Sequence, residues 1–250
     1  FAGTLRPDLI IPFKLDKKAA KAKLQEHLKG KTLLPKVFRS QNHIDEIKGV
    51  YVPFWLYDSD ADAQLRFTAT RTRCWSDDDY DYTETSYYSV RRDGVLGFDA
   101  VPVDGSSKME DDLMESIEPF TMQDAVPFKT AYLAGYVAER PCDSVQKCFE
   151  TAKSKMDAEI KRGILNKYSA DHVDYLNIYT NHKTIFFKAI LYPIYHSFFA
   201  YRGKKYEFFV NGRSGRASGK TPVSPWKVGI AVLVALAVLA GILYLMGIFE

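Results

Sequence analysis

Three aspartates at alternate positions, Asp58, Asp60 and Asp62, form the sharpest pattern of potentially reactive side chains in the sequence. A calcium loop with this spacing needs glycine at its sixth position and glutamate at its twelfth, where this sequence has Ala63 and Ala69. On a β-strand, alternate residues share one face, so the three carboxylates would form one acidic strip. These aspartates are therefore the candidate metal ligands of a metal-dependent enzyme, although we expect a solvated strip.

The usual signatures of catalysis are missing from the sequence. It contains no HExxH zinc motif, GxSxG nucleophile motif, P-loop or GxGxxG fingerprint, and its five histidines are scattered. The three cysteines include no CxxC pair, which removes a common kind of zinc or redox site. The sequence therefore predicts no catalytic residue and favours a protein that is not an enzyme.

A long apolar segment occupies residues 228–248, which carry no charge. As an α-helix it would be about 30 Å long, the hydrocarbon thickness of a bilayer. A helix in the core of a soluble protein is seldom apolar on all faces over this length. We therefore predict one transmembrane helix at 228–248, preceded by a linker at 222–227 that contains two prolines.

The flanks of this helix differ in charge, because many basic residues precede it and only Glu250 follows. The positive-inside rule then predicts a single-pass protein of the cell membrane whose globular part is cytoplasmic. The side chains predicted to contact anionic lipid are Arg202, Lys204, Lys205, Arg213, Arg216, Lys220 and Lys227. Trp226 has the place of an interfacial aromatic residue.

The rest of the sequence predicts an α+β fold with mostly antiparallel sheets and a few helices. Asp16 and Gly30 mark the two ends of a helix over about 17–29. Hairpin turns are predicted at 76–79 and at Asp93-Gly94. The strands that these turns separate are predicted at 50–57, 62–75, 82–92 and 95–101.

A capping box over 107–110 opens a short helix, which completes the first cycle of elements. A second cycle follows, in which 129–139 is predicted as a strand. Asp143 begins a long helix that runs to about Tyr168. The helical spacing predicts a buried stripe of Val145, Cys148, Ala152, Met156 and Ile160. Further strands are predicted at 172–180, 184–199, 204–211 and 215–218.

The two cycles share a short segment, which suggests an internal duplication. The residues Val50-Tyr51-Val52-Pro53-Phe54-Trp55 correspond to Ile190-Leu191-Tyr192-Pro193-Ile194-Tyr195, and both segments lead into hairpins. We accordingly predict a first α+β unit at 1–125 and a second at 126–221, which can pack as one domain.

Several phrases of the sequence occur in the same order and spacing in a known bacterial family. They are Pro7-Asp8 with Ile11-Pro12-Phe13, Gly49 to Trp55, Tyr82 to Tyr88, Ile117 to Phe120, Tyr132 to Tyr136, and Asn211-Gly212 with Gly219-Lys220. On these phrases the chain resembles membrane-anchored proteins described as containing a zinc ribbon of the transcription-factor-IIB type. The resemblance implies that zinc is held only by an upstream segment, and the start at Phe1 predicts that such a segment exists. It implies no cofactor in this chain and an uncharacterised function.

These observations favour a membrane-tethered cytoplasmic scaffold or adaptor. Its predicted partners are the lipid bilayer and a protein that the sequence does not identify. One alternative is a metal-dependent enzyme that uses the aspartate strip. The other is a membrane protein that binds nucleic acid together with upstream zinc ribbons, through the lysines of the 17–29 helix. We expect no nucleic-acid contact from the portion of the chain present here.

Overall fold

The computed structural model describes residues 6–35, 47–106, 111–166 and 172–245. Within these ranges the protein is mixed and sheet-rich, and its strand pairing is mostly antiparallel. The strands are β1 (Leu9–Ile10), β2 (Lys48–Ser76), β3 (Asp81–Asp104), β4 (Val126–Pro127), β5 (Val137–Ala138), β6 (His172–Tyr201), β7 (Lys204–Asn211) and β8 (Ala217–Gly219). The helices are α1 (Lys17–Lys29), α2 (Asp111–Ser116), α3 (Val145–Leu165) and α4 (Pro225–Leu245). The α+β class fits only loosely, because sheet dominates.

The chain divides into two compact units that interleave along the sequence. The first comprises 1–10, 53–107 and 140–191, and the second comprises 11–52, 108–139 and 192–250. Both β2 and β6 contribute one end to each unit. The predicted units, 1–125 and 126–221, are continuous in sequence, whereas each compact unit consists of three separate segments. The division at 125/126 stays a prediction.

In the first unit, β2 and β3 form a long antiparallel hairpin that is paired from Phe54 with Asp104 to Ser76 with Asp81. The first part of β6 lies on the other side of β2. Strand β1 pairs parallel with β6 at Ile190–Leu191. Helix α3 packs against β3. The core between them consists of Trp55, Tyr57, Val103, Cys148, Ala152, Met156 and Ala189.

In the second unit, the end of β6 pairs antiparallel with β7, and β7 pairs antiparallel with β8. Helix α1 packs on β7 and β8, and β5 runs parallel to the start of β2. The buried core consists of Ala20, Leu24, Leu28, Leu34, Ile47, Tyr195, Phe208 and Val210. The order helix, long strand, hairpin strand thus occurs twice in the chain. The first unit contains the β2–β3 hairpin of the first cycle and helix α3 of the second. The second unit contains helix α1 of the first cycle and the β6–β7 hairpin of the second.

Helix α1 has the predicted bounds. The Asp16 carboxylate accepts a hydrogen bond from the Ala19 N–H at 2.7 Å, which satisfies one of the free donors of the first turn. Gly30 ends the helix, but with φ −66° it stays in the right-handed region. The predicted end of the helix at Gly30 is confirmed.

Helix α3 also follows its prediction, with a small difference at its start, while the predicted end near Tyr168 lies outside the described residues. Cys148, Ala152, Met156 and Ile160 are buried, as the helical spacing indicated, and Val145 is partly buried. The Ser144 side chain, one residue after the predicted cap, accepts from the Lys147 N–H at 3.3 Å. Asp143 instead forms an ion pair with the Lys147 ammonium at 2.7 Å.

Several predictions from turn and strand patterns are wrong. The predicted breaks at 58–61 and 181–183 are absent, because β2 and β6 run through them. Asp93 and Gly94 lie inside β3, opposite Gln64 and Ala63, because the ladder with β2 continues through them. The segment 129–139 holds a short 3-10 helix over Thr130–Leu133 and the two-residue β5. The predicted turn at 76–79 is confirmed as the end of the β2–β3 hairpin, whereas the capping box at 107–110 lies outside the described residues.

Candidate membrane-contacting site

The outstanding site is α4, an apolar helix that lies outside the protein core. Its window Pro225–Ile242 has a mean hydropathy of 2.1, and no part of the window is buried. The large side chains are exposed on all sides of the helix; Leu233, for example, is 67% exposed. This is the one helix among the described residues that is long and apolar enough to cross a membrane. The end of the predicted span, 246–248, lies outside the described residues.

The first turn of α4 is bonded to the turn that follows α1. Pro225 opens the helix, a position that suits proline because its missing N–H would have no helical partner. The Ser224 N–H donates to the Leu33 carbonyl at 2.9 Å. The Lys227 ammonium donates to the carbonyls of Thr32 at 2.9 Å and Leu34 at 2.7 Å. The start of α4 is therefore held by backbone acceptors of one short turn.

The basic residues predicted to contact lipid divide into two groups. Some are used within the second unit: Arg213 pairs with Asp124, and Arg216 donates to the Glu118 carbonyl at 2.6 Å. The bond from Arg213 holds the pKa of Asp124 below its usual range. Lys227 is likewise engaged, as described above. These three side chains are therefore bonded within the protein and hold its structure.

The other group lies at or near the hairpin between β6 and β7. Arg202 lies over the Tyr201 ring, and Lys205 lies over Phe198 and forms an ion pair with Glu207 at 2.6 Å. Lys204 and Lys220 are exposed, as is Trp226. The sequence did not separate the two groups, because their bonding partners are distant in sequence and only the folded structure brings them together.

The aspartate strip is an ion-paired face of β2. Asp58, Asp60 and Asp62 alternate with buried residues, so their carboxylates share the outer face as predicted. Asp58 lies 3.5 Å from the Lys188 ammonium, and Asp62 pairs with Lys183. Burial would raise the pKa of Asp58, but the Ala100 N–H, Asp99 and Lys188 outweigh it and hold that pKa below its usual range.

No group of three or more His, Cys, Asp or Glu side chains is arranged to hold a metal ion in the described part of the chain. The lysines that face the strip already balance much of its charge. The geometry thus gives no support to metal ligation by the three aspartates, and that role stays a prediction.

A serine, a histidine and an aspartate meet in the first unit, which the sequence did not reveal. Ser59 Oγ lies 3.2 Å from His182 Nδ1, and His182 Nε2 lies 3.2 Å from Asp157 Oδ1. This is the order of groups in a nucleophilic triad. However, Ser59 and the His182 side chain are each only 3% exposed, so no substrate can reach the hydroxyl. The chain of bonds instead ties α3 to the sheet.

Sequence reasoning missed this contact because nothing local signals it. Ser59 and His182 are 123 residues apart, and Asp157 precedes His182 by 25. Only the pairing of β6 beside β2 brings the serine and histidine together.

A cleft of about 430 Å³ opens beside the start of α1 in the second unit. Its lining residues are Asp16, Lys17, Lys18, Ala134, Gly135, Tyr136 and Tyr195. Tyr136 stacks on Phe13 with ring centroids 4.1 Å apart, and the Tyr195 hydroxyl donates to the Leu15 carbonyl at 2.8 Å. Burial raises the pKa of Tyr195. Its neutral, bonded hydroxyl is therefore a packing group and offers no nucleophile.

The end of the β2–β3 hairpin is an exposed aromatic surface of the first unit. The Thr70 hydroxyl donates a hydrogen bond to the His172 carbonyl of β6 at 3.5 Å. Beyond it, residues 71–88, which we name the hairpin arm, expose side chains on both faces. Trp75 stacks on Tyr82, and Tyr87 is 72% exposed. The tip of the arm is acidic, and its Asp77 carboxylate accepts from the Asp79 and Tyr80 N–H groups.

Comparison with known proteins gives one informative relative. The chain is 34% identical over 230 residues to the uncharacterized protein YdjG of Bacillus subtilis (strain 168). The similarity covers 91% of this chain and 67% of that protein. No family profile and no solved structure matches the chain.

Proposed function

We propose a function for this chain, which belongs to the family of the uncharacterized protein YdjG: it is a membrane-tethered scaffold of the cell membrane. One observation carries the tether. The apolar window of this 21-residue helix is not buried against the described part of the chain, and water is a poor solvent for it. The hydrocarbon core of a bilayer matches its length of about 30 Å and supplies that contact.

The proposed orientation has the globular part in the cytoplasm. Short segments that flank a span on the cytoplasmic side are enriched in lysine and arginine, and such residues precede α4. All three cysteines are free thiols, which suits a reducing compartment.

Native thiols allow a direct test of this orientation. Cys74 and Cys142 are exposed, whereas Cys148 is buried and serves as an internal control. A membrane-impermeant maleimide should label Cys74 and Cys142 only after intact cells are permeabilised. Labelling in intact cells would place the globular part outside, and recovery of the protein in the soluble fraction would remove the tether.

The scaffold role rests on the hairpin arm and on the absence of an accessible catalytic set among the described residues. Exposed tyrosine and tryptophan side chains are favoured at protein interfaces, because they bury a large area with few rotatable bonds. The acidic tip favours a partner with a basic surface. The arm is thus the part of the protein proposed to hold a partner at the membrane.

A photo-cross-linking amino acid tests this role in the full-length protein. Placed at Tyr87 on the hairpin arm, it should yield one discrete cross-linked protein from membranes; placed at Lys161 on the exposed face of α3, it should not. Changing Asp78 and Asp79 at the tip to asparagine should weaken the product if the partner is basic. Equal products from both positions would indicate random collisions and contradict the proposal.

A further inference from the structure

We infer that the turn after α1, Lys31–Leu34, lies in the headgroup layer beside α4 and inserts the Leu33 side chain into the bilayer interface. The occupant of this surface is a lipid bilayer that contains anionic lipid. The inference rests on the proposed function, because it needs α4 to span the membrane. It adds a second membrane-contacting segment, nearly two hundred residues earlier in the chain.

Hydrogen bonds fix the height of this turn relative to α4. The carbonyls of Thr32, Leu33 and Leu34 all accept from donors at the start of α4, at 2.7–2.9 Å. A spanning helix has its first turn at the boundary between headgroups and hydrocarbon. Three consecutive residues bonded to that first turn must lie at the same boundary.

Side-chain exposure points in the same direction. Leu34 is buried in the core of the second unit, whereas the neighbouring Leu33 is 40% exposed. Val223 and Trp226, which flank the bonded Ser224, are 54% and 78% exposed. Three exposed apolar side chains therefore surround the base of α4. An interface accommodates such side chains, since Trp and Leu partition there readily.

Charge around this patch suits anionic headgroups. Lys29, the last residue of α1, is exposed, and it precedes the turn by one residue of linker. No acidic residue occurs in 27–35 or in 217–231. The β6–β7 hairpin, in contrast, has Glu207 paired with Lys205, so its basic charge is partly neutralised.

Quenching of tryptophan fluorescence by brominated acyl chains tests the inference in the full-length protein. The protein is reconstituted in vesicles of phosphatidylcholine and phosphatidylglycerol with bromine near the headgroup end of the chains. The variant Trp226→Phe gives the background from Trp55 and Trp75. Leu33→Trp is then added to that variant, and Phe198→Trp, at the exposed face of the β6–β7 hairpin, is the matched control.

We expect strong quenching of native Trp226, comparable quenching of Leu33→Trp above the background, and none of Phe198→Trp. Quenching of Trp226 without quenching at position 33 overturns this inference and leaves the anchor intact. Loss of quenching at Trp226 itself overturns the anchor and, with it, the proposed function. Quenching of Phe198→Trp alone moves the contact to the β6–β7 hairpin and also overturns the inference.

A second measurement guards against a misfolded tryptophan variant. Leu33→Cys with a nitroxide label, in a background of Cys74→Ser and Cys142→Ser, is a smaller change on an exposed side chain. Its collision rate with oxygen, which is enriched in lipid, should exceed its collision rate with a water-soluble nickel complex. The reverse ratio places Leu33 in water and contradicts the inference.

Discussion

Helices α3 and α4 each contain 21 residues, yet they differ in how their apolar side chains are distributed and buried. Helix α3 carries charge on most of its surface and buries one stripe, from Cys148 to Ile160, against the sheet of the first unit. Helix α4 has no charged residue after Lys227 and buries none of its apolar window. One stripe suffices when the partner is a protein surface, because only one face meets it. An apolar surface on every side requires a surrounding solvent that is itself apolar.

The largest expected effect is on the free energy of unfolding, when one apolar side chain of each helix is truncated. Met156→Ala removes a fully buried side chain of α3 and should lower the free energy of unfolding by about 2–5 kcal/mol. Leu236→Ala shortens an exposed side chain of α4, and it should leave that free energy unchanged. Denaturant titration of both full-length variants in detergent micelles measures the difference. A similar loss for Leu236→Ala would mean that α4 packs on protein.

A charge placed in each helix gives the next effect. Leu236→Arg puts a guanidinium near the middle of α4, where membrane insertion becomes less favourable by about 2.5–3.5 kcal/mol. We expect much of the protein to leave the alkali-extracted membrane pellet. Glu150→Arg on the exposed face of α3 is the control and should stay in the pellet. Full retention of Leu236→Arg would weaken the case for a spanning helix.

The polar contact in the middle of α3 has no counterpart within α4. Asp157→Ala leaves the buried His182 without its acceptor, which should cost about 1–3 kcal/mol of unfolding free energy. Glu159→Ala, two residues along, removes only the exposed ion pair with Arg162 and should cost a few tenths of a kcal/mol, as such pairs usually contribute. Thermal unfolding of the two variants checks the ranking. Equal shifts would show that the Ser59–His182–Asp157 chain does not hold the helix.

The smallest effect concerns the first turn of α4. Lys227→Met keeps the length of the side chain but removes the donor to the Thr32 and Leu34 carbonyls. Water can replace the ammonium at the exposed Thr32, so the loss in unfolding free energy should be about 1 kcal/mol. Hydrogen exchange at the turn after α1 should rise without a change in membrane retention. Unchanged exchange would indicate that the turn is held by its own packing.

The two helices also show which features can be predicted from the sequence. The stripe of α3 and the apolar run of α4 follow from local spacing, so both were predicted nearly at their observed bounds. The Asp93-Gly94 turn was wrong because a turn dipeptide competes with a ladder that continues on both sides of it, and nothing lies within 4 Å of the space that a Gly94 side chain would occupy. The Ser59–His182 contact depends on strand order, which local spacing does not encode.

Gly212 shows that the sequence alone does not reveal why a particular glycine is needed. A side chain there would lie 2.4 Å from the Phe13 ring and 2.9 Å from the Pro193 carbonyl, so glycine is required by close approach. The dipeptide Asn211-Gly212 by itself indicates only a turn. Asn211 does serve that turn, since its buried amide oxygen accepts from the Arg213 and Ser214 N–H groups. The reason for the glycine beside it comes from a residue near the other end of the chain.

The bonds at the base of α4 also bear on how this region can vary among relatives. Every acceptor in the turn after α1 is a main-chain carbonyl, which any amino acid supplies. The donor at position 227, in contrast, is a side chain that few residue types can replace. Evolutionary drift at position 32 can therefore proceed freely, while position 227 should retain lysine or arginine wherever the anchor and the turn are kept together.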